Sequence, residues 1–185
     1  MPKEGLQWWH VIISTLNSWL PGDKRGFRSR GHKIHSSGDY KNPPPPGEHA
    51  ALYKYQKEHV GDPVVIPEEC RETVGRAILA KLDKLGYRVL AIAVAATHSH
   101  WLVELPADEK EVRQIVGQCK TKSSHAIREQ VPGHVWAYRG KNIRVKDREH
   151  HLNVYRYVLN QKDAWIWDFK KEAKEEGKDE EQAQG

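Results

Sequence analysis

Apolar and polar positions along the chain fall into patterns that predict most of its elements. Residues 7–17 (QWWHVIISTLN) are rich in aromatic and β-branched side chains and predict a first strand. Residues 67–86 (PEECRETVGRAILAKLDKLG) place Val74, Ile78, Leu82 and Leu85 at helical spacing. Pro67, Glu68 and Glu69 suit the start of this helix and Gly86 its stop. The apolar run YRVLAIAVAA (87–96) predicts a buried strand, and HSHWLVEL (98–105) a second strand after a short turn. A further helix is expected over 107–131, opened by Asp108 and stopped before Pro132-Gly133. A strand, or a hairpin around Arg139-Gly140, is expected over 134–146, and a last helix from Asp147 to at least Gln161.

Between the first strand and the first helix the pattern lapses. Residues 18–50 are dense in Gly, Pro and Ser, and 18–66 as a whole is expected to be a long basic and Pro-rich insertion loop. Pro43 to Pro46 would form a short extended spacer. Beyond Phe169 the chain becomes a Lys/Glu tract, so 170–185 is expected to be a charged, disordered tail or a frayed helix end. The expected organisation is one catalytic domain over 1–169 followed by this tail. Strands and helices interleave as strand, loop, helix, strand, strand, helix, strand, helix. That order predicts an α+β fold, a ferredoxin-like antiparallel sheet with helices largely on one face.

Charge sharpens the picture. The 185 residues carry a net +5, with a sequence pI near 9.1. Four lysines against six acidic residues put −2 on 170–185, which leaves +7 on the rest. A basic domain favours an anionic partner, with nucleic acid the leading candidate. The front of the insertion carries Lys24, Arg25, Arg28, Arg30 and Lys33 against Asp23 alone, which is either a solvated loop or an arm that tracks phosphates. No apolar run approaches the ~20 residues of a membrane helix, and MPKEGLQWWH lacks a secretory apolar core. Cys70 and Cys119 stand without Cys-x-x-Cys spacing and are expected to be reduced thiols of a cytoplasmic protein; they also argue against a structural zinc site.

The chemistry concentrates in two places. In a strand over 98–105, alternation puts Ser99, Trp101, Val103 and Leu105 on one face, fit for a core. His98, His100, Leu102 and Glu104 share the other, expected to be more open. Two imidazoles at i and i+2 can bind one divalent cation, or can simply hydrogen-bond to neighbours at a strand start. On a helical wheel over 150–161, Leu152, Tyr155, Val158 and Leu159 make a core stripe with Val154 at its edge. His150, Asn153, Tyr157, Asn160 and Gln161 fall on the opposite side. Tyr155 is therefore expected to pack, while Tyr157 sits among polar groups with Gln161 one turn on. A phenol, with a pKa near ~10, is a poor nucleophile at neutral pH unless a nearby cation favours its ionised form.

These residues resemble the single-tyrosine HUH transposases, and more closely the REP-associated tyrosine transposases. His98-Ser99-His100 matches the two-histidine strand motif, with Ser99 in place of the usual hydrophobic residue. Tyr157 and Gln161 in YVLNQ match the late-helix tyrosine followed four residues on by an amide. HVIISTLNSWLPGDKRG resembles the first strand and loop of one branch of these proteins, and VWAYRGKNIRVKDREHHLNVYRYVLNQ their passage into the catalytic helix. NQKDAW stands where these proteins often have an Asn-Pro step, so the resemblance implies Gln161 as the third metal ligand by register, with Asn160 the fallback.

The resemblance implies an HUH-type fold and cleavage and rejoining of single-stranded DNA at hairpin-forming repeats. His98, His100 and Gln161 would hold Mg²⁺ or Mn²⁺, and Tyr157 would form a 5′-phosphotyrosine. Lys24, Arg25, Arg28 and Arg30, with Lys120 and Lys122, are the expected phosphate contacts, and Trp19 a stacking platform for bases. One catalytic tyrosine per chain, as the resemblance implies, leaves open a homodimer or a monomer working in two rounds. The alternatives are a hairpin-DNA binding protein that has lost cleavage and a metal-dependent nuclease that uses water.

Overall fold

The computed structural model describes residues 2–27, 35–38 and 42–172. The elements are β1 (Leu6–Thr15), α1 (Ala50–Val60), α2 (Glu68–Lys84), β2 (Val89–Ala95), β3 (His98–Pro106), α3 (Glu109–Ala126), β4 (Trp136–Arg144), α4 (Arg148–Leu159) and β5 (Ala164–Asp168). The chain divides into two compact units, one formed by 1–14 with 65–185 and the other by 15–64.

The larger unit holds a five-stranded antiparallel sheet in the order β4-β1-β3-β2-β5. Its centre is the β2–β3 hairpin, where Val94 pairs with Ser99 and only Ala96 and Thr97 lie between the strands. β1 runs antiparallel to β3 in an unbroken register that sets Ile12 opposite His100 and His10 opposite Leu102. Directly paired residues point to the same side of a sheet. Trp8, His10 and Ile12 therefore share a face with His98 and His100, while Trp9, Val11 and Ile13 point the other way with Trp101 and Val103.

Helices cover both sides. α2 and α3 pack on each other and on one face; α4 packs on the other, against β2, β3 and β5. Under α4, Val154 and Val158 close over Ala91, Ala93 and Leu102. The expectation of helices largely on one face, and of an open second face on β3, is corrected here. Leu102 and Glu104 are fully buried, and His100 nearly so. Glu104 is tolerated because Arg88 donates to both of its oxygens at 2.9 Å and the Lys3 amide donates at 2.8 Å.

Local signals account for the helix ends. The Asp108 and Asp147 carboxylates accept from the amides of Glu111 and His150, both at 2.8 Å, capping α3 and α4. α2 stops in a Schellman turn. Tyr87 N–H donates to Leu82 O at 3.0 Å and Gly86 N–H to Asp83 O at 2.8 Å, with Gly86 at φ +78°.

Two further expectations are corrected, and of the strand and hairpin readings of 134–146 the structure has the strand, with Trp136–Arg144 as one edge strand. Gly140 marks a close approach, since a Cβ there would stand 2.6 Å from Ile12 O. The last helix ends at Leu159, short of Gln161. Asp163, at φ +49°, then turns the chain into β5 along the outer edge of β2. β5 is locked by Trp165, whose ring lies over Gly75 so closely that a Cβ would overlap it. On α4, Leu152 is exposed and Val154 buried, a rotation of the expected stripe by part of a turn. Tyr155 does pack, with its hydroxyl donating to Asp168 Oδ1 at 2.7 Å.

The smaller unit contains α1, where a loop is expected from sequence. α1 buries none of its residues and lacks an acidic first turn or a side-chain cap, so no periodic or capping signal announces it. Among the described residues no helix is long and apolar enough to cross a membrane.

Candidate active site

β3 and α4 bring the predicted residues together. The centroids of His98 and His100, neighbours on one face of β3, stand 5.0 Å apart. Past the end of α4, Gln161 turns back toward the strand. Its amide nitrogen donates to Tyr157 O at 3.1 Å, and its Oε1 lies 3.2 Å from His98 Nε2. With the nitrogen engaged, the amide oxygen is the atom that faces His98. Thr97 Oγ1 lies 3.4 Å from the other ring nitrogen of His98. Asn160 is exposed and serves as the α4 C-cap through its backbone N–H.

A third histidine belongs to this cluster and is absent from the sequence expectations. His10 on β1 is buried, and its Nε2 lies 3.0 Å from His100 Nδ1. Burial lowers the pKa of His100 to about 3, assisted by His10 and His98. It lowers that of His10 to about 4, assisted by His150. Both rings are therefore neutral at pH 7. The signal in the sequence is the strand alternation, which places His10 with Trp8 and Ile12 on one face. Nothing in that alternation shows that the same face meets His100.

Tyr157 presents its ring edge-on to His100 at 5.1 Å and to His10 at 5.8 Å, and remains 48% exposed. The nucleophile candidate thus borders solvent on one side and the imidazole cluster on the other. Ser99, the odd residue of the His-x-His motif, points away from the site. It is fully buried, donates to Ala93 O and accepts from Trp101 Nε1, both at 2.7 Å. Its hydroxyl is satisfied within the core and leaves the histidines undisturbed.

Two imidazole nitrogens and one amide oxygen form a donor set that a divalent cation can use. Two ligands sharing an octahedral ion at ~2.1 Å stand about 3 Å apart, close to the separation of His98 Nε2 and Gln161 Oε1. His100 is neutral and its Nδ1 is engaged by His10, so Nε2 is the ring nitrogen that faces away from that contact. Among the described residues no group of three or more His, Cys, Asp and Glu is placed to hold a metal. A site here depends on the Gln161 amide as well as the two imidazoles.

The expected DNA contacts are scattered. Arg28 and Arg30 lie outside the described residues. In the smaller unit, the Arg25 guanidinium is bound by Asp23, donates to Ser18 O at 2.8 Å and lies 4.4 Å over the Trp19 ring. Arg25 therefore shapes its own loop, and Trp19, whose Nε1 donates to Gly26 O, is 41% exposed. Lys24 is exposed. In the larger unit, Lys120 donates to Ala137 O at 2.8 Å, and burial lowers its pKa to about 8. Lys122 lines a groove of about 640 Å³ with Lys81 and His125. That groove lies on α2 and α3, across the sheet from the histidines.

Residues 62–164 match the family described as "Transposase IS200 like". His98, His100, Tyr157 and Gln161 fall inside the matched segment, and His10 outside it. No curated protein matches the chain. Among solved structures it is similar to one titled "Structure of the REP associates tyrosine transposase bound to a REP hairpin". The identity is 13% and the TM-score 0.46, over 85% of this chain and 67% of that chain.

Proposed function

Because the chain belongs to the IS200-like transposase family, we propose that it cuts and rejoins single-stranded, hairpin-forming DNA with Tyr157 as nucleophile. The observation that carries this reading is the placement of Gln161. Through one amide it touches both the backbone of Tyr157 and the imidazole of His98, so the candidate nucleophile and candidate ligands share one corner of the fold.

The Tyr157 phenol oxygen attacks the scissile phosphorus. A tyrosine–phosphorus bond forms, the bond from phosphorus to the 3′-oxygen breaks, and that oxygen leaves as a free 3′-hydroxyl after taking a proton. The phosphotyrosine keeps the 5′ end of the downstream strand. A 3′-hydroxyl from the same or another strand reverses the step, so no nucleotide energy source is needed. His98, His100 and Gln161 would hold Mg²⁺ or Mn²⁺, which when bound polarises the phosphate and favours the ionised phenol. His100 and His10 wall Tyr157 on its inner side and leave the outer side for the strand.

Lys24, Arg28 and Arg30 remain the proposed phosphate contacts in the smaller unit, and Lys120 and Lys122 in the larger. Arg25 acts there by holding the loop that displays Trp19. The proposed setting is the cytoplasm of a bacterium, as a monomer working in two rounds or as a homodimer.

The test uses 5′- and 3′-labelled single-stranded hairpin oligonucleotides from beside the gene, with and without Mn²⁺, resolved on denaturing gels. A metal-dependent adduct that keeps the 3′-side fragment and disappears in Tyr157→Phe is the expected result. Cleavage without an adduct would replace this reading with a hydrolytic nuclease. Bound but uncut DNA would replace it with a binding protein.

A further inference from the structure

His10 is a buried imidazole on the first strand, outside the family-matched segment, and it makes its hydrogen bond to a candidate ligand. The contact joins His10 Nε2 to His100 Nδ1 at 3.0 Å, with ring centroids 5.2 Å apart. The register produces this neighbourhood: His10 pairs with Leu102 and Ile12 with His100, so His10 and His100 are diagonal neighbours on one sheet face. Two imidazoles that share one hydrogen bond place one proton in it, and there are two ways to do so. If His10 donates, His100 carries its own proton on Nε2 and has no lone pair there for a metal. If His10 accepts, His100 is protonated on Nδ1 and its Nε2 is free to ligate.

We propose that His10 is a positioning residue that accepts the Nδ1 proton of His100 and so holds His100 in its metal-ligating tautomer. This rests on the metal reading of the site given above. The alternative role for His10, direct ligation of the same ion, is disfavoured by the contact itself. Its Nε2 faces Nδ1 of His100, so it cannot reach an ion on Nε2 of that ring without giving up the bond. Burial leaves little water to substitute for the acceptor: His10 and His100 are 7% and 5% exposed.

The test measures Mn²⁺ binding to the full chain without DNA, by calorimetry and by the electron paramagnetic resonance of free Mn²⁺, in wild type, His10→Phe and His10→Gln. Gln can place an acceptor oxygen near the position of Nε2, whereas Phe fills the space without one. Loss of an outer-shell partner lowers metal affinity by about 10–100-fold. The expected result is a fall of that size in His10→Phe and an affinity within about threefold of wild type in His10→Gln. Circular dichroism should show both variants folded. An unchanged affinity in His10→Phe overturns the proposal and leaves the metal reading intact. An equal fall in both folded variants also overturns it, since the imidazole would then be needed as a ligand. No Mn²⁺ binding by wild type overturns the metal reading and this proposal together. Should His10→Phe fail to fold, ¹⁵N-histidine NMR of the Mg²⁺-loaded wild type decides. His100 protonated on Nδ1 supports the proposal, and His100 unprotonated there overturns it.

Discussion

Tyr155 and Tyr157 stand two residues apart on α4 and meet opposite surroundings. The Tyr155 hydroxyl donates to Asp168, its ring lies 5.1 Å from the Lys170 ammonium, and burial together with Asp168 raises its pKa to about 12. Tyr157 is about half exposed, with His100 and His10 against its ring. One phenol is held in its neutral form as part of the β5 joint. The other has an open side toward solvent and a candidate cation site at its back. The difference arises from position on the helix: β5 returns along β2 beneath Tyr155, and β3 delivers its histidines beside Tyr157. Identical chemistry two residues apart becomes structural in one case and available for reaction in the other.

The sharpest way to break this comparison is to remove each hydroxyl. Tyr157→Phe is expected to abolish the DNA adduct, a loss on the order of 10³-fold or more, while Tyr155→Phe retains adduct formation on the same gel. Equal losses would end the distinction. Next in size, His98→Ala, His100→Ala or chelation of divalent metal should each lower cleavage on the order of 10²-fold. Gln161→Ala should do more harm than Asn160→Ala, because the Gln161 oxygen faces His98 while Asn160 is an exposed helix cap. Cleavage rates at saturating Mn²⁺ would show the ranking.

A third prediction concerns stability against pH in the metal-free protein. His10 and His100 have folded pKa values depressed to about 4 and about 3, below the unfolded value of 6.5. The unfolded chain binds protons first as pH falls, so stability is complete above about pH 6.5. It drops as pH descends toward those folded values, by at most ~1.4 kcal/mol per pH unit for each ring. Urea midpoints at pH 7 and pH 5 would reveal the loss, and His10→Gln should reduce its slope. The smallest effect expected is that of Tyr155→Phe on folding, about 1–2 kcal/mol from the lost hydrogen bond to Asp168. Chemical denaturation of the two phenylalanine variants would then rank them in the reverse order of their activities.

Local signals were legible wherever a segment's neighbours in sequence determine its structure. The Pro67 start and Gly86 stop of α2, the aspartate caps of α3 and α4 and the apolar run of β2 all answer to local rules. The segments misjudged from sequence depend on distant partners. Gly140 looks like a turn until β1 lies beside it, and AWIWD has no element assigned from sequence until the edge of β2 and the gap at Gly75 receive it. α1 buries nothing, so it leaves no stripe to detect. In the site, His98, His100, Tyr157 and Gln161 were legible because their spacings are short and periodic. His10 was not, because a single histidine on an apolar strand has no period.

By itself the sequence determined which side chains are neighbours along one element: two imidazoles on a strand face, and a phenol and an amide one helical turn apart. It also determined that the first 169 residues carry the positive charge. Only the tertiary structure decided which elements meet. The β1–β3 register set His10 against His100 across 90 positions of chain. The end of α4 turned Gln161 onto His98 across 63. Contacts of that separation come from side-chain complementarity between whole faces, β1 against β3 and α4 over the sheet, and no window along the chain contains both partners.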